Sequence, residues 1–151
     1  MACDIRPASE TDADAISDVI ISALRQTNSS DYPAHIIDRV VENFCPAAVR
    51  ELLGRRIVFV AVDGGRIVGT ASLDGAVVRT VFVAPTAQGR GIGAGLMAAV
   101  ERAAAAGGIA ALTVPSSITA RGFYEKLGFD ELGDRFHGDE RTIIMRRSLK
   151  T

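Results

Sequence analysis

This chain has no basic surplus, no paired cysteines and no long apolar run. Its 17 Lys and Arg and 18 Asp and Glu leave a formal net charge of −1, which excludes the concentrated positive surface that broad nucleic-acid binding needs. A single charged substrate, such as an amine, remains compatible with that balance. Cys3 and Cys45 stand alone without CxxC spacing, so they read as small apolar side chains in a reduced protein. Every apolar stretch meets a Gly or a charge too soon to span a bilayer. No basic segment followed by an apolar run opens the chain, so the expectation is a cytoplasmic protein, with no membrane and no nucleic-acid partner. His137 has Asp139 and Glu140 nearby, but the spacing matches no ligand pattern; a solvated turn and no metal are expected.

What is present suits one domain over residues 1–151, since a chain of this size closes around one hydrophobic core. Residues 4–7 read as a first strand. Ser9 or Thr11 then caps a helix with Ile16, Val19, Ile20, Ala23 and Leu24 along one face, at helical spacing. After a polar loop at residues 27–32, a second helix from Pro33 aligns Ile36, Ile37, Val40, Val41 and Phe44, and Pro46 opens a third helical piece ended by Gly54. Two β-rich runs, 57–62 and 66–73, meet at Asp63-Gly64-Gly65, and Asp74-Gly75 turns into a third at 76–83. Such short turns make the three strands an antiparallel meander. Residues 91–106 form a helix with Ile92, Leu96, Ala99, Val100 and Ala103 inward, and 109–114 a strand buried on both faces that Pro115 ends. A short helix at 119–127 and two strands, 129–136 and 141–148, complete the order β-α-α-β-β-β-α-β-α-β-β. This is a mixed α/β fold of six to seven strands.

Function is written most clearly at Gln88-Gly89-Arg90-Gly91-Ile92-Gly93-Ala94, between the strand ending at Val83 and the next helix. A helix start leaves several N–H groups without partners. Glycine lets a ligand approach them closely, and the dipole favours an anion, so a phosphate-bearing ligand is the natural occupant. A tight turn would be the bland explanation, but three alternating glycines exceed what a turn needs. No Lys-Ser/Thr follows, which disfavours a nucleotide P-loop. Gly89-x-Gly91-x-x-Ala94 formally matches a dinucleotide fingerprint. The strand at 109–114 ends without an acidic ribose partner, however, and a meander precedes the loop.

Gln88-x-x-Gly91-x-Gly93 resembles the Q/R-x-x-G-x-G/A signature of the GCN5-related N-acetyltransferases, or GNAT superfamily. Val81-Phe82-Val83-Ala84-Pro85 looks like that family's strand ending, and Phe123-Tyr124-Glu125-Lys126-Leu127-Gly128-Phe129 resembles its late motif. The run Ser117-Ile118-Thr119-Ala120-Arg121 is similar to a bacterial subgroup of small-molecule acetyltransferases. The resemblance implies an acyl-CoA N-acyltransferase fold with acetyl-CoA in a V-shaped opening between two central parallel strands. It implies that Phe82 and Val83 pair with the pantetheine arm. Gln88, Gly89, Arg90, Gly91, Ile92, Gly93, Ala94 and Ser117 complete the cofactor site, mainly through main-chain groups, and no metal takes part.

The reaction implied is direct attack of a primary amine, on a small molecule or a peptide, upon the thioester carbonyl. Tyr124 matches the tyrosine that protonates the departing thiolate; an aromatic packed on an amphipathic helix is the competing reading. Many relatives carry a Glu on the strand before the glycine loop, whereas residues 76–83 hold only Arg79 and Thr80 as polar side chains. The base is then a water chain or a residue of the N-terminal helices. Asp31, Tyr32 and His35 cluster where the family builds its acceptor site, although solvated loop residues would look the same. That missing carboxylate leaves open a non-catalytic acyl-CoA sensor. The family also makes a homodimer an expectation.

Overall fold

The computed structural model describes residues 3–149. Seven strands form one sheet in the order β1-β2-β3-β4-β5-β7-β6: β1 (Asp4–Pro7), β2 (Ile57–Asp63), β3 (Arg66–Asp74), β4 (Val77–Val83), β5 (Ala111–Ser117), β6 (Asp130–His137) and β7 (Glu140–Ser148). Five helices cover it: α1 (Ala13–Gln26), α2 (Ala34–Val41), α3 (Pro46–Leu53), α4 (Ile92–Ala106) and α5 (Arg121–Lys126). The mixed α/β fold read from the sequence is the one observed, with α3 as a third helix before the meander. No helix among the described residues is long and apolar enough to cross a membrane.

Alternation along the strands splits the core between the two faces. On β2, Val60 packs with Ile16, Ile20, Leu24, Ile36, Ile37 and Val49 of α1–α3, while its neighbour Ala61 packs with Leu96, Met97 and Val100 of α4. Strand period and helix period therefore agree with one another at the sheet. Met97 and Ala104 are buried on α4 where the sequence pointed to Ala103, which is only half-buried. Gly69 on β3 lets α4 lie close: a Cβ there would stand 3.0 Å from Leu96 and 3.2 Å from Ile92.

Two details open the sheet at its centre. The β4–β5 ladder is its parallel pair, and it is paired at Val77↔Thr113. Against β3, Thr70 faces Phe82 while Ser72 faces Arg79, so β4 spends two residues, Thr80 and Val81, opposite Ala71. This is a β-bulge, and it bends the strand away from its neighbour. Thr80 sits at φ +57°, the one non-glycine residue with positive φ among those described. A β-branched residue held there costs about 1–3 kcal/mol, which the surrounding structure must offset.

Pro115 does not end β5 as the sequence suggested; the strand begins later, at Ala111, and runs on to Ser117 along β7. Thr113 donates its N–H to Ala76, on the β4 side. By alternation the nitrogen of Pro115 faces the same side, where β4 has already parted. The missing donor costs no ladder bond there.

Candidate active site

Beyond Val83 the chain makes one tight turn at Pro85–Ala87 and enters α4 through Gly91, at φ +78°. The N–H groups of Gly89, Gly91, Ile92, Gly93 and Ala94 donate to no acceptor among the described residues. They form the open start of a four-turn helix, aimed into a cavity of about 770 Å³ that follows the gap between β4 and β5. A Cβ at Gly89 or Gly91 would meet nothing within 4 Å, so the space beside the amides is open. At Gly93 the reason for glycine is different. A Cβ would stand 3.0 Å from the ring of Phe123, and this close approach seats α5 against the loop.

The alternation of the β3–β4 ladder assigns the strand's polar groups. Ala84 donates to Val68 at 2.8 Å and Phe82 pairs with Thr70, so Val83 points its N–H and C=O into the gap. Gln88 reaches back with its side-chain amide to Val83 O at 3.2 Å and to Thr27 Oγ1 at 3.1 Å, bridging the loop to the end of α1. Of the loop residues named from the sequence, Arg90 does not border the cavity; it pairs with Asp63 on the β2–β3 hairpin at 3.0 Å. Ser117 does border it, and its hydroxyl accepts the N–H of Ala120 at the start of α5.

Tyr124 is buried on α5, with its ring edge-on to Phe123 and Phe129 at 5.1 and 5.4 Å between centroids. It also lines the cavity, and its hydroxyl makes no hydrogen bond to any described residue. Packed aromatic and cavity-lining phenol are thus both true of it. Burial pushes its pKa well above the ordinary tyrosine value, so the phenol remains a proton donor.

The acceptor candidates separate. Tyr32 is buried: it donates to Arg141 O at 2.6 Å and accepts the N–H of Ile118 at 2.8 Å. This pins the α1–α2 connection to the end of β5, and burial raises the Tyr32 pKa as well. Asp31 lies outside the lining and accepts the hydroxyl of Thr119, which does line it. His35 is exposed on α2, 3.3 Å from Asp139. Arg39 continues the seam, donating to His137 O at 3.1 Å and standing 3.7 Å from Glu140. As a result His137 and Glu140, read from the sequence as a solvated turn, border the cavity, as do Arg56 and Arg79. Their approach depends on contacts about a hundred residues apart, which local pattern does not carry. Among the described residues no group of three or more His, Cys, Asp or Glu is placed to hold a metal ion.

The family description "Acetyltransferase (GNAT) domain" matches residues 24–146. The chain belongs to the GNAT acetyltransferase family. A GCN5-related N-acetyltransferase of Rhodopseudomonas palustris, also described as a class-II aminotransferase, superposes with a TM-score of 0.92 at 25% identity, over 98% of this chain and 96% of that one. The PaiA N-acetyltransferase of Thermoplasma acidophilum, solved with coenzyme A, gives a TM-score of 0.86 at 18% identity over 98% and 99%. The yncA protein of Salmonella typhimurium, solved with its cofactor acetyl-CoA, gives 0.68 at 22% over 100% and 96%. No curated protein matches the sequence. Within the GNAT fold, the splayed β4–β5 pair and the open start of α4 are where this chain's cavity lies.

Proposed function

We propose that this GNAT protein is an acetyl-CoA-dependent N-acetyltransferase that moves an acetyl group to a primary amine by direct attack. One observation carries the reading: a row of unpartnered amides at the start of α4 faces a cavity that runs along the parted edge of β4. The site fits a diphosphate-bearing thioester on its own chemistry. The amides of Gly91, Ile92, Gly93 and Ala94 offer donors and a positive dipole end to the diphosphate. Val83 offers its N–H, and the second lone pair of a C=O that already accepts from Gln88, to an extended amide arm, like a strand added to an edge. When bound, the thioester supplies the activated acetyl group.

The remaining work falls to side chains of this chain. Tyr124 holds a proton on an oxygen that no described residue competes for, and donates it toward the leaving sulfur. The same burial that raises its pKa also disfavours a bare thiolate, which keeps donor and acceptor matched. Glu140 is the one carboxylate among the described residues that borders the cavity. Water and Glu140 are the routes by which an incoming ammonium loses its proton.

A sensor that binds the thioester without turnover is favoured by one fact, the absence of a carboxylate on β4. Incubation with acetyl-CoA and a panel of amines, followed by free-thiol release, separates the two. Amine-dependent release is expected. Tight coenzyme A binding with no release across the panel would assign the sensor.

A further inference from the structure

Two guanidinium groups share one carboxylate where β4 bulges. Arg56, between α3 and β2, donates from Nη1 to Thr80 Oγ1 at 3.1 Å, and its Nε lies 4.0 Å from Asp74 Oδ2. Arg79 reaches the same oxygen with its Nε at 3.4 Å. Both arginines border the cavity and Asp74 does not. Arg56 Nη2 and both terminal nitrogens of Arg79 make no hydrogen bond to a described residue. One positive charge is therefore left over; the Arg56 side chain is only 16% exposed, whereas that of Arg79 is 40% exposed. Burial first, then the like charge of Arg79, lowers the Arg56 pKa from its ordinary value.

This surplus is not placed to serve the diphosphate. Across the bulge Arg79 and Val83 oppose Ser72 and Gly69, three residues apart on β3, and a strand rises about 3.3 Å per residue, so the two stand about 10 Å apart. Both arginines line the same cavity as Leu24 and Phe44. A cationic wall repels a plain alkylammonium. It suits an acceptor that brings its own anion, because guanidinium binds carboxylate with directed, paired donors.

We propose that Arg56 and Arg79 form an anion subsite that grips a carboxylate of the acceptor, so that the amine acetylated belongs to a carboxylate-bearing molecule such as a free amino acid. The inference rests on the acetyltransferase reading and names the acceptor class for that site. Glutamate or aspartate on the same stretch would favour a bare cation; Arg79 reverses that preference.

The experiment compares kcat/KM for free amino acids with their primary amides, which carry the same amine without the charge. A preference for the acid of about 10–100-fold is expected, the range of one lost charge-assisted hydrogen bond. The less basic amine of the amide works against this result, so the sign is informative. Arg79→Gln should erase the preference and Arg79→Lys should restore part of it, with coenzyme A affinity unchanged in both. A second arm needs no turnover: calorimetry of N-acetyl amino acids and N-acetyl amino amides on the coenzyme A-loaded protein, in wild type and Arg79→Gln. Tighter binding of the acid, lost in Arg79→Gln, supports the subsite. Equal treatment of acid and amide, or a preference that survives Arg79→Gln, overturns the subsite alone. Failure to bind coenzyme A sinks the acetyltransferase reading itself, and the subsite with it.

Discussion

At Gly91 the backbone enters α4 at φ +78°, and the residue's missing Cβ leaves the neighbouring amides uncovered. Gly91→Ala should cost about 1–2 kcal/mol for the left-handed backbone, lowering Tm by about 2–8 °C. Calorimetry should show coenzyme A affinity falling by more than that strain explains, because the new methyl stands beside the anion site. Tyr124→Phe isolates a hydroxyl with no hydrogen-bond partner among the described residues. Turnover should fall about 10²–10⁴-fold, with thermal stability and coenzyme A affinity held. A tyrosine whose pKa is raised stays protonated past pH 10, so the alkaline limb of the rate profile should not descend on its account below that pH. Asp12 offers a stability test away from the site. Its carboxylate takes two hydrogen bonds from Arg6 and one from the Ser9 N–H, which hold its pKa at about 2, below the usual 3.8. A depressed pKa stabilises the fold above the unfolded value, and that contribution is lost as pH falls from about 4 toward 2. Urea titrations over this range should lose on the order of 1–2 kcal/mol in the wild type, after allowing for solvent screening, and much less in Asp12→Asn.

At the scale of elements, legibility followed locality. The meander was readable because Asp63-Gly64-Gly65 and Asp74-Gly75 encode its turns within two or three residues, and α1 because Ile16, Val19, Ile20, Ala23 and Leu24 repeat at one period. The bulge was not, since Thr80 at positive φ violates the preference of a β-branched residue and is held by tertiary contacts, Arg56 among them. Pro115 misled for a related reason. Proline forbids a donor, but whether the donor is needed depends on which neighbour the nitrogen faces. Pro115→Ala should accordingly change stability by less than about 1 kcal/mol in urea unfolding, because no ladder bond is gained on the open side. A larger stabilisation would mean that β4 and β5 close when given the chance.

Over the whole molecule, the cavity is a seam among segments far apart in sequence. The glycine loop supplies one rim, and residue types alone singled it out as the proposed anion site. The opposite wall comes from α2, β7 and the β6–β7 turn, joined through Tyr32, His35 and Arg39, and no local pattern announced it. The same holds for the pairing of Arg56 with Arg79 around Asp74. In the proposed reaction, amides at the start of α4 receive the diphosphate. Amide-resolved NMR during titration with coenzyme A tests this most directly. The N–H signals of Gly91, Ile92, Gly93 and Ala94 should move downfield together and saturate with one affinity. Signals there that stay fixed, while shifts appear elsewhere or nowhere, would contradict it.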